Sequence, residues 1–404
     1  MDPYYSNRGQ DWQQILASLD PWPTIPFDSD RATDSKGPHV AIDFSFDRWE
    51  KVLQTFRRWW AGRLDRPILA ATSGGRDPGR AEPSLSSNAL GYTTGLTAFY
   101  DLSVPAAEIV DRWDYDLSCK KFLGDAVPSV CPNFGPGVAA AFLSARLETD
   151  DNTVWFHPPE DMEIADIHFE YDGDNRWLNR VKDICRAAVE RWEGLVQIAM
   201  TDLGGILDML SVFRPGEKLL LDLYDHPGHV ERLTWEAYEL WHRFYREIDE
   251  IIHPTNPGYM AWAAVFCPQP YYMLQCDFAY MIGPDMFDRF ARPELLATCK
   301  RLPNCFYHLD GQGQLSHLGS LLTIKELRGI QWVPGPSQPQ GDEWIDVYRK
   351  IVEAGKLAQL LTLDAVDAVA EQTGRPGNAL FWDWEGRIEP EGKFQRALKR
   401  YGVA

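Results

Sequence analysis

The chain lacks the marks of several large functional classes. Its seven cysteines, at 119, 131, 185, 267, 276, 299 and 305, are odd in number and include no CxxC pair. That pattern excludes a disulfide framework and a zinc knuckle as the organising device. Lysine and arginine total 40 against 59 aspartates and glutamates, a formal charge of -19. With no local basic patch to override that field, neither nucleic acid nor an anionic membrane is an expected partner. No apolar run approaches a membrane span, and the polar stretch Met1 to Arg8 is not followed by an apolar segment of signal-peptide length. A cytoplasmic location is therefore expected. A glycine-rich dinucleotide turn and a phosphate loop with its lysine are missing as well.

What is present is a long, aromatic-rich globular sequence. The 404 residues are 45% hydrophobic and include 16 tryptophans, enough for a sizeable core. Residues 1–44 are rich in Pro, Asp and Ser and read as a wrapping N-terminal arm. From Phe46, the apolar positions Trp49, Val52, Leu53, Phe56, Trp59 and Trp60 fall at helical spacing. Arg66 to Thr72 then forms a short apolar run closed by Ser73-Gly74-Gly75, the pattern of a buried strand.

Similar runs recur at Val127 to Pro132, Leu195 to Thr201, Tyr259 to Phe266, Cys305 to Leu309, Gly329 to Val333, Leu357 to Leu363 and Ala379 to Trp382. Helical periods lie between them. Strands that are apolar throughout, separated by helices, predict a parallel sheet covered on both faces. Eight such units predict a (β/α)8 TIM-type barrel occupying residues 45–404 as one domain. Val154 to Tyr171 reads as a hairpin inserted after the second strand, over the barrel mouth.

Catalytic groups in such barrels come from the carboxyl ends of the strands. Those ends carry Arg76, Asn133, Phe134, Asp202, Gln275, Asp277, His308, Asp310, Gln331, Trp332, Asp364 and Asp383, a polar and acidic rim. Any one aspartate here can instead cap the next helix, and Asp364 is expected to do so. Asp202 has the same two readings: a carboxylate facing the cavity, or a cap for a helix near Leu203. Phe134, Tyr271, Tyr272, Trp332, Trp382 and Trp384 are either a ligand platform or core packing.

The most informative stretch is Phe306-Tyr307-His308-Leu309-Asp310-Gly311. Residues two apart in a strand share a side, so His308 and Asp310 would enter one cavity together. Such a pair binds a metal or moves a proton. The plainer alternative is a histidine satisfied by a backbone carbonyl beside a capping aspartate.

The residues from Phe46 onward resemble the uroporphyrinogen decarboxylase-like superfamily, which includes that decarboxylase and the zinc-dependent methyltransferases acting on corrinoid proteins. The resemblance rests on Asp65-Arg66-Pro67, Pro132-Asn133-Phe134-Gly135-Pro136-Gly137, Thr201-Asp202-Leu203-Gly204-Gly205, Tyr307-His308-Leu309-Asp310-Gly311 and Gly329-Ile330-Gln331-Trp332-Val333-Pro334-Gly335. It implies the same eightfold barrel. Two departures stand out. The porphyrin-binding members carry an arginine pair after the first strand, where this chain keeps only Arg76. The methyltransferases hold zinc with a His-x-Cys pair and a later cysteine, where this chain has His308 and Asp310 and no cysteine beyond Cys305.

Nitrogen and oxygen ligands suit a harder ion than thiolates do. His308 and Asp310 would supply two ligands to a divalent metal, with Asp277 or Asp383 as a third. Without a metal, Asp310 would orient His308 as a general acid. The sequence thus leads to an enzyme with His308, Asp310 and Asp202 in catalytic roles. Asn133, Phe134, Arg76, Gln275, Asp277, Gln331 and Trp332 would contact the substrate. The first expectation is acid-base or metal-assisted lyase chemistry, of decarboxylase type, on a small carboxylated molecule. The alternatives are methyl transfer involving a corrinoid protein or thiol, and a barrel that only binds its ligand. A homodimer is left open.

Overall fold

An amphipathic helix spans Phe46–Trp60, capped by Ser45, whose side chain accepts from the Arg48 amide. Its buried face is the predicted one, Trp49, Val52, Leu53, Phe56, Trp59 and Trp60. Two of those indoles close onto distant backbone: Trp49 Nε1 donates to the Leu195 carbonyl at 2.8 Å and Trp60 Nε1 to that of Phe266 at 2.9 Å. The computed structural model describes residues 42–87, 95–383 and 391–403. The predicted arm lies almost wholly outside the described residues, as does Trp384.

The strands, in chain order, are β1 (Ile68–Ser73), β2 (Lys121–Gly124), β3 (Ser129–Val130), β4 (Arg146–Thr149), β5 (Val154–His157), β6 (Gln197–Ile198), β7 (Met273–Gln275), β8 (Cys305–Asp310), β9 (Leu327–Val333), β10 (Leu357–Leu360) and β11 (Ala379–Asp383). Seven form one sheet in the order β2-β1-β11-β10-β9-β8-β7. Every neighbour pair in it is parallel except β1 with β2. β3 and β6 make a separate parallel pair. The protein is therefore a mixed α/β fold with a mostly parallel central sheet.

The pair β3–β6 is tied to the sheet at its carboxyl end. Thr201 Oγ1 donates to the Pro132 carbonyl at 2.6 Å, and the Tyr272 hydroxyl donates to the Thr201 carbonyl at 3.2 Å while accepting from the Leu203 amide at 2.7 Å. The loops after β3 and β6 meet backbone to backbone. A Cβ on Gly204 would stand 2.5 Å from the Gly137 Cα, and both glycines have positive φ, 77° and 81°.

Three sequence expectations need correction. Tyr259 to Phe266 is not a strand but a loop closed by its own antiparallel bridge between Tyr259 and Cys267; the strand lies farther on, at β7. Periodicity cannot separate a buried loop from a buried strand when the run is short and apolar. The inserted hairpin exists but is β4–β5, registered from Arg146↔His157 to Thr149↔Val154. No strand follows at Ile167 to Phe169. Asp364 does not cap its helix; Thr362 does, accepting from the Ala365 amide at 3.2 Å, and Asp364 pairs with Lys393 at 2.7 Å.

Candidate active site

One register level of the sheet is polar across four adjacent strands. Gln275 on β7 pairs with His308 on β8, His308 with Gln331 on β9, and Gln331 with Gln359 on β10. All but His308 are buried, and His308 is nearly so. Buried polar groups must find partners, and much of this row satisfies itself. His308 Nδ1 is bonded to Gln331 Oε1, and Gln331 Nε2 donates to Gln359 Oε1 at 3.0 Å. The relay has a direction. Because Gln331 spends its amide hydrogen on Gln359, its oxygen faces His308, so Nδ1 carries the proton and Nε2 is left with a lone pair.

Toward the carboxyl ends, β8 and the turn after β7 each carry an aspartate. Asp310 follows His308 by two within β8, the strand parity that puts side chains on one side, while Asp277 opens the 3-10 turn that follows β7. Asp277, His308 and Asp310 each offer a ligand atom, and these atoms all lie within 4.8 Å of one another. His308 Nε2 is 4.0 Å from Asp310 Oδ2. Burial lowers the His308 pKa, against the opposing pull of Asp310 and the Gln331 bond. Asp277 faces an open cavity yet is enclosed by protein; that enclosure, with the Asp310 charge, raises it to about 6.

The cavity holds about 760 Å³ and is lined by Asn133, Asp202, Gln275, Asp277, His308, Gln331 and Asp383 among others. Asn152 and Thr153, at the tip of the β4–β5 hairpin, also line it, so the hairpin reaches the mouth. Asp202 is buried in the wall. Its Oδ1 accepts from the Gly204 amide at 2.9 Å, a local turn rather than a helix cap, since the next helix starts at Ile206 with Gly205 as its N-cap. Burial raises Asp202 to about 8, against the backbone bonds it accepts, with the Asp277 charge adding to the rise. Behind it, Asp208 accepts from the Phe278 amide at 2.8 Å and is raised to about 7 by burial and Asp277.

Phe134, Trp332 and Arg76 are not in the cavity lining, and of the expected pair His308 lines the cavity while Asp310 stands beside it without lining it. Trp332 sits one residue past Gln331, on the opposite face, 5.2 Å from the Trp344 ring. Phe134 packs edge-on to Trp177 at 6.1 Å. Arg76 donates to the Ser118 carbonyl at 2.7 Å. Tyr271 and Tyr272 are fully buried, so of the described aromatic candidates only Trp382 lines the cavity. Asp383 lines the cavity but does not join the three-donor group.

Sequence reasoning missed three lining or supporting residues. Gln359 was hidden inside an apolar run, Trp262 within a stretch read as strand, and Lys120 at a helix-to-strand junction. Trp262 presents its ring edge to His308, with centroids 5.0 Å apart and planes at 84°.

No protein-family model matches the chain, and no curated protein matches it. Among solved structures, a methyltransferase from Methanosarcina mazei is similar at 11% identity and a TM-score of 0.54, over 87% of this chain and 99% of that one. The likeness is one of fold.

Proposed function

We propose that the chain is an enzyme of the uroporphyrinogen decarboxylase-like superfamily, a (β/α)8 barrel acting on a small carboxylated molecule. With β2 and the β4–β5 hairpin set aside, eight strands remain among the described residues, and every pairing among them is parallel. Fold similarity to a methyltransferase agrees with this assignment.

The observation that carries the reading is the convergence of Asp277, His308 and Asp310. One imidazole nitrogen and two carboxylates make a donor set for a divalent cation of intermediate or hard character. The donor chemistry fits: His308 is held neutral by burial, and Gln331 fixes Nε2 as the free donor, the outer support a metal-bound histidine requires. When bound, such an ion supplies a Lewis acid for a substrate oxygen.

The remaining chemistry belongs to the chain itself. Asp202, raised to about 8, keeps its proton at neutral pH inside the cavity wall. It is the group to deliver a proton, to carbon after loss of carbon dioxide, or to the heteroatom that gives up a methyl group. Decarboxylation is the first reading. Methyl transfer to a corrinoid protein is the second, favoured by the name of the fold neighbour.

Elemental analysis and metal titration test the reading. The purified protein should hold one divalent ion per chain, and His308→Ala and Asp310→Asn should each lose it. Carbon dioxide release against methylation of added cobalamin then separates the two chemistries. A protein that binds no metal, with ligand binding indifferent to His308→Ala, would be a binding barrel instead.

A further inference from the structure

Lys120 lines the cavity at the junction between the helix Ala106–Ser118 and β2, beside Leu117 and Phe122. Its neighbour Lys121 registers with Ser73, so Lys120 sits by the carboxyl end of β1. Among the described residues no carboxylate lies within ion-pair distance of the Lys120 ammonium and no acceptor takes its hydrogens. The other lysine of the cavity, Lys393, is already paired with Asp364. Among the described residues Lys120 is thus a partly buried cation with no bonded counter-ion, the Asp116 charge acting on it only from beyond ion-pair distance, and it lines the same cavity as Phe381 and Trp382. Burial lowers its pKa, as expected for an ammonium in such surroundings.

An unpaired charge in a partly apolar wall is costly unless a ligand completes it. We propose that Lys120 binds a carboxylate of the substrate that the reaction leaves in place, at the end of the molecule away from the Asp277–His308–Asp310 cluster. The second half of that statement rests on the function proposed above. In the sheet, β1 and β8 are separated by β11, β10 and β9, and the cavity that both Lys120 and His308 line holds about 760 Å³, room for an extended ligand. The ligand is an extended carboxylate with an apolar body against Leu117, Phe122, Phe381 and Trp382, and the carboxylate on Lys120 is one that the reaction retains, distinct from a group lost at the cluster. A phosphate dianion fits less well, because one ammonium offsets one charge while the Asp277 and Asp383 carboxylates line the same space. A lysine also reads charge as a point rather than as a planar fork.

The test is calorimetric titration of the full chain with 4-phenylbutyrate, longer ω-phenyl carboxylates and their primary amides, with and without prior chelation. The wild type should bind the best carboxylate at least tenfold more tightly than its amide. Lys120→Met should abolish that preference, and Lys120→Arg should restore part of it, with thermal melts confirming that both variants fold. Equal affinity for acid and amide, unchanged carboxylate binding by Lys120→Met, or no binding by any member of the series would overturn the inference. Carboxylate binding that needs metal but not Lys120 would also overturn it while supporting the metal cluster. Lys120-dependent binding in a protein that takes up no metal would keep the subsite and remove the cluster.

Discussion

The Nδ1 atom of His308 is bonded to Oε1 of Gln331, and that bond decides which ring nitrogen faces Asp310. Were Gln331 turned over, its amide would present hydrogen to Nδ1 and lose its bond to Gln359. The histidine tautomer is thus set two strands away, by a glutamine that touches no part of the acidic cluster.

Gln331→Leu should therefore weaken metal affinity by about 10–100-fold while the fold persists. Zinc and manganese titrations of the two proteins check this. Equal affinities would mean that packing alone orients the ring.

His308→Ala and Asp310→Ala should both abolish metal uptake but differ in stability. His308 is largely buried, and its removal strands the Gln331 oxygen, at a cost of about 1–3 kcal/mol. Asp310 has a side chain 41% exposed, so its loss should cost well under about 1 kcal/mol. Urea melts measure both.

Asp202 gives a signed pH effect. Its pKa is about 8 in the folded state and about 3.9 unfolded. Between those values the folded chain holds a proton that the unfolded chain has released, so this group's contribution to stability falls as pH rises and levels off above pH 8. The slope is at most about 1.4 kcal/mol per pH unit. Asp202→Asn should reduce the slope, and Asp208, raised to about 7, should leave a residue of it. Melting temperatures from pH 4 to 9 for both proteins would reveal the difference.

The same substitution should lower turnover about 10²–10⁴-fold if Asp202 delivers the proton. Asparagine can still accept from the Gly204 amide, so the turn survives and the loss is chemical. Full turnover by Asp202→Asn at every pH would remove Asp202 from the mechanism.

Gly204→Ala should destabilise the protein by about 3 kcal/mol or more. The new methyl would meet the Gly137 backbone at 2.5 Å, and φ is 77°. Gly216, also at positive φ but in open space, should tolerate alanine better. Melting temperatures of the two variants test the contrast.

Much of this arrangement was legible in strand parity. His308 and Asp310 share a side because they are two apart in one strand, whereas Asp277 reaches them from the turn after β7, where that rule has no hold. Applied strictly, it would also have separated Trp332 from Gln331. The strand at β7 was displaced by an alanine-rich loop whose apolarity matches that of a strand. Gln359 gave no signal, since one amide in an apolar run has no period, and its role exists only through the register with Gln331. Lys120 was equally silent: a surface lysine and a cavity lysine read alike until the chain around them is folded.

The tryptophan face of the helix Phe46–Trp60 bears on how the protein is made. It is made well before its partners, which lie far downstream: the Leu195 and Phe266 carbonyls, Arg328, which donates to the Trp60 carbonyl at 2.7 Å, and Trp382 beside Phe56 at 6.5 Å. Until translation reaches the last strand, that face stays without its native cover, a long interval of exposed aromatic surface. Chains released early should accordingly aggregate or recruit chaperones, and the helix should gain hydrogen-exchange protection late in synthesis.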